Sequence, residues 1–183
     1  MPLTLPGTTI EVSCFNKGIS RTMFDGIFAA GGITLSQVSV MTGLEPYDVQ
    51  NWVKRGFVSS PVGRVYSKDQ FARIVIINLL RETLSLPDII KMLTHINGVL
   101  NDQSDDLICD SELYHKYVDM TAAYDRDGGI GAAREAAVKA AKGYLEPQPG
   151  AAKRLETVLG VMAYAHIAKT ARENAKLLLR GIE

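Results

Sequence analysis

The chain has 183 residues, of which 46% are apolar and 22% charged, and its 20 lysines and arginines equal its 20 aspartates and glutamates. Such a composition is ordinary for a globular protein with one substantial core, or with a small domain and a helical extension. No apolar run approaches the roughly 20 residues that span a bilayer. The N-terminus has no basic segment followed by an apolar block, so we expect a cytoplasmic protein without membrane contact.

The residue types that carry enzyme or metal chemistry are scattered. Cys14 and Cys109 lie far apart, and the three histidines fall on different predicted helices, so we expect no metal and no cofactor. The glycine pairs that begin at Gly31 and Gly128 lack the lysine or third glycine of a phosphate-binding loop. The acidic stretch 101–106 lacks the residue order of a calcium loop. We therefore expect a protein that is not an enzyme.

Residues 1–33 predict an N-terminal arm and one helix. Apolar and polar residues alternate over 9–15, which indicates a short strand-like segment. Residues 19–30 carry apolar side chains at helical spacing until Gly31 and Gly32 interrupt them. We expect this helix to pack on the C-terminal tail or on a partner chain.

The next stretch predicts two short helices that meet at a glycine. Thr34 is a suitable N-cap, Gly43 supplies the turn because it tolerates positive φ, and Pro46 fits the first turn of the second helix. The side chains expected to face the core are Val49, Trp52 and Val53; those expected to face outward are Tyr47, Asp48, Gln50, Asn51 and Lys54. Exposed amide and basic side chains on a helix suit contacts with base edges and phosphates.

A small hairpin is predicted after the second helix. Gly56 ends that helix, and residues 57–66 alternate around Pro61 and Gly63. This hairpin would carry Arg64 at its turn as a wing.

Two further apolar helices follow. Residues 68–81 are apolar over most of the helix circumference, so we expect neighbours on two sides. Residues 85–101 predict a helix capped by Ser85, with Pro87 in its first turn.

The run TLSQVSVMTGLEPYDVQNWVKRGFV, followed by GRVYSKDQFARIVIINLL and SLPDIIKML, resembles the DNA-binding domain of MerR-type transcription regulators. The matching positions are Gly56, Phe57 and Val58 after the helix-turn-helix, Arg64 and Tyr66 in the wing, Ser67 and Asp69 at the next helix, and Ser85, Leu86 and Ile89 at the last. The chain is also similar to an uncharacterised bacterial family that joins a MerR-like domain to a helical C-terminal tail.

The resemblance implies a mainly α fold: a winged helix-turn-helix with a small β-hairpin wing over residues 34–100, followed by an all-helical C-terminal extension over 101–183. It implies double-stranded DNA as the partner. The residues expected to contact DNA are Tyr47, Gln50, Asn51, Lys54, Arg55, Arg64 and Tyr66.

The tail predicts three helices, over residues 110–124, 132–145 and 151–179, with ends expected at 127–129 and in the EPQPG break at 146–150. The last helix is either the longest member of the tail's own bundle or the antiparallel partner of its copy in a homodimer. An effector pocket lined by tail aromatics is the alternative to ordinary core packing for Tyr114, Tyr117, Met120 and Tyr124.

We therefore expect a transcription regulator that binds DNA as a dimer, with a tail that dimerises or senses a small-molecule effector. Residues 34–100 carry seven lysines and arginines against five aspartates and glutamates, a small excess for a nucleic-acid binder. The alternative is a protein-interaction or small-molecule-binding module that keeps the winged-helix fold without binding DNA.

Overall fold

The computed structural model describes residues 3–98, 100, 106–124 and 132–182. Within them the helices are α1 (Ile19–Ile27), α2 (Leu35–Thr42), α3 (Pro46–Lys54), α4 (Lys68–Leu80), α5 (Leu86–Asn97), α6 (Asp110–Tyr124), α7 (Ala132–Ala141) and α8 (Ala151–Leu179). The strands are β1 (Leu3–Thr4), β2 (Glu11–Val12), β3 (Ile33–Thr34) and β4 (Val65–Tyr66). The mainly α prediction is confirmed.

Three sequence-based expectations fall outside this part of the chain. They are the acidic stretch over 101–105, the helix end at 127–129 and the side chain of Tyr124. The predicted bounds of α2, α3 and α8 agree with the structure to within one residue, whereas α1 and α7 end three or four residues earlier than predicted.

Helix α4 lies at the centre of the fold. Its residues from Phe71 to Ile77 are all buried, and it packs against α2, α5, α6 and α8. The apolar circumference therefore does have neighbours on more than one side, as predicted. Ser67 begins the helix through a capping box with Gln70, in which each side chain accepts from the other residue's backbone N–H.

The N-terminal arm is part of the core. Strands β1 and β2 pair antiparallel, and Leu5 is fully buried beside them. Asn78 on α4 donates to the carbonyl oxygens of both Gly7 and Thr42, at 3.0 Å each. Thr9 binds the end of α2 through its amide and its hydroxyl. The arm therefore ties α2 to α4.

Helix α1 packs on α6, the first helix of the C-terminal tail. The tail was one of the two surfaces expected to contact it. Arg21 forms two hydrogen bonds with Glu112, at 2.6 and 3.0 Å. Ser20 Oγ lies 2.9 Å from His115 Nδ1 in a buried contact. Phe24 stacks on Tyr114 with ring centroids 5.2 Å apart.

Apart from one bridge at Val65, strand β4 does not pair within the loop that precedes it. It pairs antiparallel with β3, in the register Ile33 with Tyr66 and Thr34 with Val65. Close approach at this point requires a glycine, because a Cβ on Gly32 would lie 2.9 Å from the Tyr66 carbonyl oxygen. The hairpin predicted over 57–66 is consequently reduced to a tight turn with one bridge between Val62 and Val65.

The C-terminal helices form a bundle with α4 and α5. The inner side of α8 packs against α4, α5, α6 and α7. On α7 the buried alanines recur every four residues, at Ala133, Ala137 and Ala141, which allows α8 to approach closely. This supports the bundle interpretation of α8. Among the described residues, no helix combines the length and hydropathy needed to cross a membrane.

Candidate nucleic-acid interface

Local signals position α2 and α3. Thr34 accepts from the Gln37 amide and Gln37 accepts from the Thr34 amide, so a capping box begins α2. Gly43 ends it in the left-handed conformation, at φ 69°. Pro46 then starts α3, since its fixed φ suits a first helical turn and its missing N–H is not needed there.

The outer side of α3 faces solvent. Val49 and Trp52 are buried against the core, whereas Tyr47 is 74% exposed and Gln50 and Lys54 are also exposed. Asn51 is half-buried. Within the described residues, the substantial helix contact of α3 is with α2 and no tail helix covers it. The polar side chains predicted to face outward on α3 therefore lie on one side of the helix and are accessible to solvent. Asn51 is less accessible than Tyr47, Gln50 and Lys54.

Asp48 was expected to face solvent on the outer side of α3, but it forms an ion pair. Its carboxylate lies 3.6 Å from Arg81, and the Arg81 guanidinium sits 5.7 Å from the centre of the Trp52 ring. These contacts join α3 to the end of α4. Both charged side chains are partly exposed, so the pair orients α3 more than it stabilises the fold.

A tight turn presents Arg64 immediately before β4. Gly63 and Arg64 both have positive φ, at 59° and 65°, between the bridged residues Val62 and Val65. Two consecutive positive φ values are those of a type I′ turn, in which glycine and asparagine are favoured and arginine is not. Arg64 is exposed and Val62 is 82% exposed, so the turn projects into solvent.

The segment leading to the turn is held by Gln70. Its amide nitrogen donates to the carbonyl oxygens of Ser59 and Ser60, at 3.1 and 3.0 Å. Sequence reasoning overlooked Gln70, although Ser67 and Gln70 stand at the spacing of a capping box. That spacing predicts the helix start, but the second role of Gln70 depends on Ser59 and Ser60, which stand eleven and ten residues before it.

Tyr66 was predicted to contact DNA, and its burial contradicts that prediction. It is 3% exposed, pairs with Ile33 in the β3–β4 ladder, and has a pKa raised by burial. A side chain in this position belongs to the core and is not available to DNA. Strand pairing with β3 turned the tyrosine inward, a contact that local alternation could not reveal.

Two of the basic residues that follow α3 in the chain are already paired within the fold. Lys68 pairs with Asp25 at 3.0 Å, and Arg73 is buried in an ion pair with Asp110, also at 3.0 Å. Lys54, Arg55 and Arg64 are exposed and form no salt bridge within the described part of the chain. Arg55 instead lies over the Phe57 ring, 4.6 Å from its centre.

Arg73 and Asp110 join the segment that follows α3 to the helical tail. Arg73 Nε donates to the Phe57 carbonyl oxygen at 2.8 Å, while its Nη1 binds Asp110. Asn97 on α5 donates to the other oxygen of Asp110 at 3.1 Å. Burial raises the pKa of Asp110, and the Arg73 charge opposes that rise. The sequence showed two charged residues here without indicating that they meet.

An open cleft of about 870 Å³ lies beside this pair. Its polar lining residues include Ser59, Asp69, Gln70, Cys109 and Asp110. Burial raises the pKa of the Cys109 thiol, which disfavours the reactive thiolate. Among the residues described, no three histidines, cysteines or carboxylates are placed to hold a metal ion.

Three of the tail residues considered for an effector pocket instead show the core packing that was expected of them. Tyr114 and Tyr117 are fully buried and Met120 is 4% exposed. Their hydroxyls are used within the fold: Tyr114 donates to the Pro6 carbonyl oxygen at 2.8 Å, and the Tyr117 hydroxyl lies 3.0 Å from His166 Nδ1. These residues hold the arm and α8 against α6.

Comparison with known proteins gives one match. A family model described as a domain of unknown function (DUF1836) matches residues 33–117, which is fewer than half of the 183 residues. No curated protein and no solved structure matched the chain. The matched span begins at β3 and ends within α6, so it includes the capped helices, the Arg64 turn and the Arg73–Asp110 pair. Over these residues the chain is similar to that family.

Proposed function

We propose that the protein is a DNA-binding transcription regulator in which α2, α3 and the Arg64 turn act as a MerR-like winged helix-turn-helix. The observation that carries this proposal is the uncovered outer side of α3, where Gln50 is exposed and Tyr47 is 74% exposed. An amide on an exposed helix can form paired hydrogen bonds with an adenine edge in the major groove. Gln50 is therefore assigned to base contact, and the half-buried Asn51 to a lesser one.

Backbone contacts are assigned to the exposed cations. Lys54 and Arg55 end α3, and Arg64 stands on the neighbouring turn. None of the three has a salt bridge among the described residues, so each can neutralise a phosphate without first breaking an ion pair. The Tyr47 hydroxyl, at the start of α3, is assigned to a phosphate oxygen.

A dimer follows from the modest charge. The three cations assigned to phosphate contact give weak affinity in a single chain, whereas two copies related by a two-fold axis double the set. Such a dimer would read two half-sites about 34 Å apart on one face of the duplex. We propose homodimeric binding for this reason.

Titration of labelled duplexes at several salt concentrations tests the proposal. Wild type is expected to bind more weakly as salt rises, and Lys54→Ala and Arg64→Ala are each expected to weaken binding to every duplex and to reduce the salt slope by about one. Lys153→Ala is the matched control, because it removes the same charge from an exposed position on α8. Its binding curve should match wild type.

Gln50→Ala tests base contact separately. It is expected to reduce discrimination between duplexes by a factor equivalent to about 1–3 kcal/mol while leaving the salt slope unchanged. Salt-insensitive behaviour toward every duplex, or variants at Gln50 and Arg64 that bind as wild type does, would contradict the proposal.

The 870 Å³ cleft favours a second candidate, a small-molecule-binding module. Its lining combines polar and apolar residues and includes the Cys109 thiol, which a bound compound would cover. Under this candidate, a compound that raises the melting temperature of the protein also slows thiol labelling at Cys109, and Cys14→Ser removes the background from the other exposed thiol. Labelling that is unchanged by every stabilising compound counts against it.

A further inference from the structure

The residues that directly follow α4 form a closed turn. Thr83 and Leu84 both donate their amides to the Leu80 carbonyl oxygen, at 2.9 and 2.8 Å. Arg81 keeps helical dihedral angles as the C-cap of α4. Consecutive side chains on a helical backbone point about 100° apart, so Arg81 and Glu82 extend in different directions from one rigid turn. Neither residue can move its backbone without moving the other.

The Arg81 side chain reaches α3. Its guanidinium lies 3.6 Å from the Asp48 carboxylate and 5.7 Å from the centre of the Trp52 ring. A cation over an indole face is attracted by the negative potential of the ring. Arg81 therefore contacts two residues of a helix whose substantial helix contact, within the described residues, is with α2.

The neighbouring Glu82 is held by α8. Lys169 Nζ donates to one of its carboxylate oxygens at 3.1 Å, and Arg172 Nη2 donates to the other. Arg172 Nη1 also donates to the Glu82 carbonyl oxygen, at 2.8 Å. Helix α8 thus binds both the side chain and the backbone of Glu82. Arg172 lies where α8 leaves the body of the protein, because every residue from Ala171 to Leu179 is exposed.

We propose that Arg81 and Glu82 link α8 to α3, so that the position of α8 sets the orientation of α3. A displacement of Arg172 moves Glu82, the closed turn moves Arg81 with it, and Arg81 moves Asp48 and Trp52. The ion pairs at both ends are partly exposed, with 40% of the Arg81 side chain and 38% of the Glu82 side chain accessible. Pairs in such positions are weak, so the link can open while the core stays folded. The inference rests on the proposed function for its consequence on DNA, whereas the link itself requires no DNA.

Trp52 provides a direct probe, because it is the single tryptophan of the chain. Its indole N–H gives one nuclear magnetic resonance signal, which responds to the position of the Arg81 guanidinium. Arg81→Gln removes the cation and defines the signal of the open link. Glu82→Gln and Arg172→Ala are each expected to move the signal in the same direction by a smaller amount, with unchanged circular dichroism.

Two controls separate the link from a local disturbance. Glu173→Gln removes a carboxylate that lies 3.9 Å from Lys169 within α8 itself, and it should leave the Trp52 signal at its wild-type position. Glu82→Arg places three cations together and should move the signal. Adding Arg172→Glu to that variant restores opposite charges and should return the signal toward wild type.

Amide hydrogen exchange reports on the same link through the backbone. Glu82→Gln is expected to speed exchange in α3 by about two- to fivefold, the change that loss of a partly exposed ion pair allows. A Trp52 signal that moves with Arg81→Gln but with neither Glu82→Gln nor Arg172→Ala would overturn the proposal. Failure of the reversed charge pair to restore the signal would overturn it as well.

Duplex titration of Glu82→Gln reports separately on the proposed function. This variant keeps every residue assigned to DNA contact, and it is expected to bind about two- to fivefold more weakly than wild type because α3 is less firmly oriented. The spectroscopic and exchange measurements contain no DNA. If wild type binds no duplex, the proposed function fails while the link is still decided by the Trp52 signal.

Discussion

The turn at Arg64 offers a test in which stability and DNA binding change in opposite directions. Arg64 holds a φ of 65° while its side chain is exposed. A residue with a Cβ spends roughly 1–2 kcal/mol to adopt the left-handed conformation. Since the observed strain has no compensating side-chain bond among the described residues, we infer that the arginine is retained for an external contact.

Two substitutions separate the backbone effect from the charge effect. Arg64→Gly and Arg64→Ala remove the same guanidinium, but only glycine relieves the left-handed strain. Glycine also gives the unfolded chain about 0.5–1 kcal/mol more conformational freedom, which offsets part of the gain. We therefore expect Arg64→Gly to exceed Arg64→Ala in unfolding free energy by about 0.5–1 kcal/mol.

Urea unfolding measures the difference. The denaturation midpoint of Arg64→Gly should lie above that of Arg64→Ala with an unchanged slope, and its melting temperature should be roughly 2 °C higher. Both variants should bind duplexes equally weakly. A glycine variant no more stable than the alanine variant would refute the strain argument, whereas wild-type DNA affinity in either variant would refute the assigned phosphate contact.

Three further results are expected. Burial lowers the pKa of His115 to about 4, so between about pH 6.5 and 4 the unfolded chain binds a proton that the folded chain does not. The free energy of unfolding should therefore fall by about 2–3 kcal/mol as the pH falls through that window. Chemical denaturation of His115→Gln should show a weaker pH dependence. Asp110→Ala leaves Arg73 buried without its partner and should lower the unfolding free energy by about 3–5 kcal/mol. The double variant Arg73→Met, Asp110→Leu should lower the unfolding free energy much less. Equal decreases in the two variants would contradict the pairing. Asn78→Ala should lower the unfolding free energy by about 1–3 kcal/mol, since the Gly7 and Thr42 carbonyl oxygens lose their donor. Amide hydrogen exchange should become faster in the arm and at the end of α2. A uniform increase in exchange across the chain would contradict a local role for Asn78.

Short local patterns in the sequence were sufficient to predict where α2 and α3 begin and end. Thr34, Gly43 and Pro46 act on their immediate neighbours, through a cap, a left-handed turn and a fixed φ, so they predicted α2 and α3 within one residue of the observed bounds. The outward position of Gln50 and Lys54 followed from helical periodicity, because Val49 and Trp52 had to face a core. These are properties of a few consecutive residues and do not require the rest of the chain.

Tertiary structure decided which segments meet. Tyr66 was predicted at the surface but is buried, because β4 pairs with β3, although 30 residues separate the two strands in the chain. Arg73 and Asp110 stand 37 residues apart in the chain, and only folding brings the two charges together. Periodicity assigns a side chain to one face of its own element, but the identity of the opposing surface depends on long-range packing. That packing turned Tyr66 and Arg73 inward and left Gln50, Lys54 and Arg64 facing water.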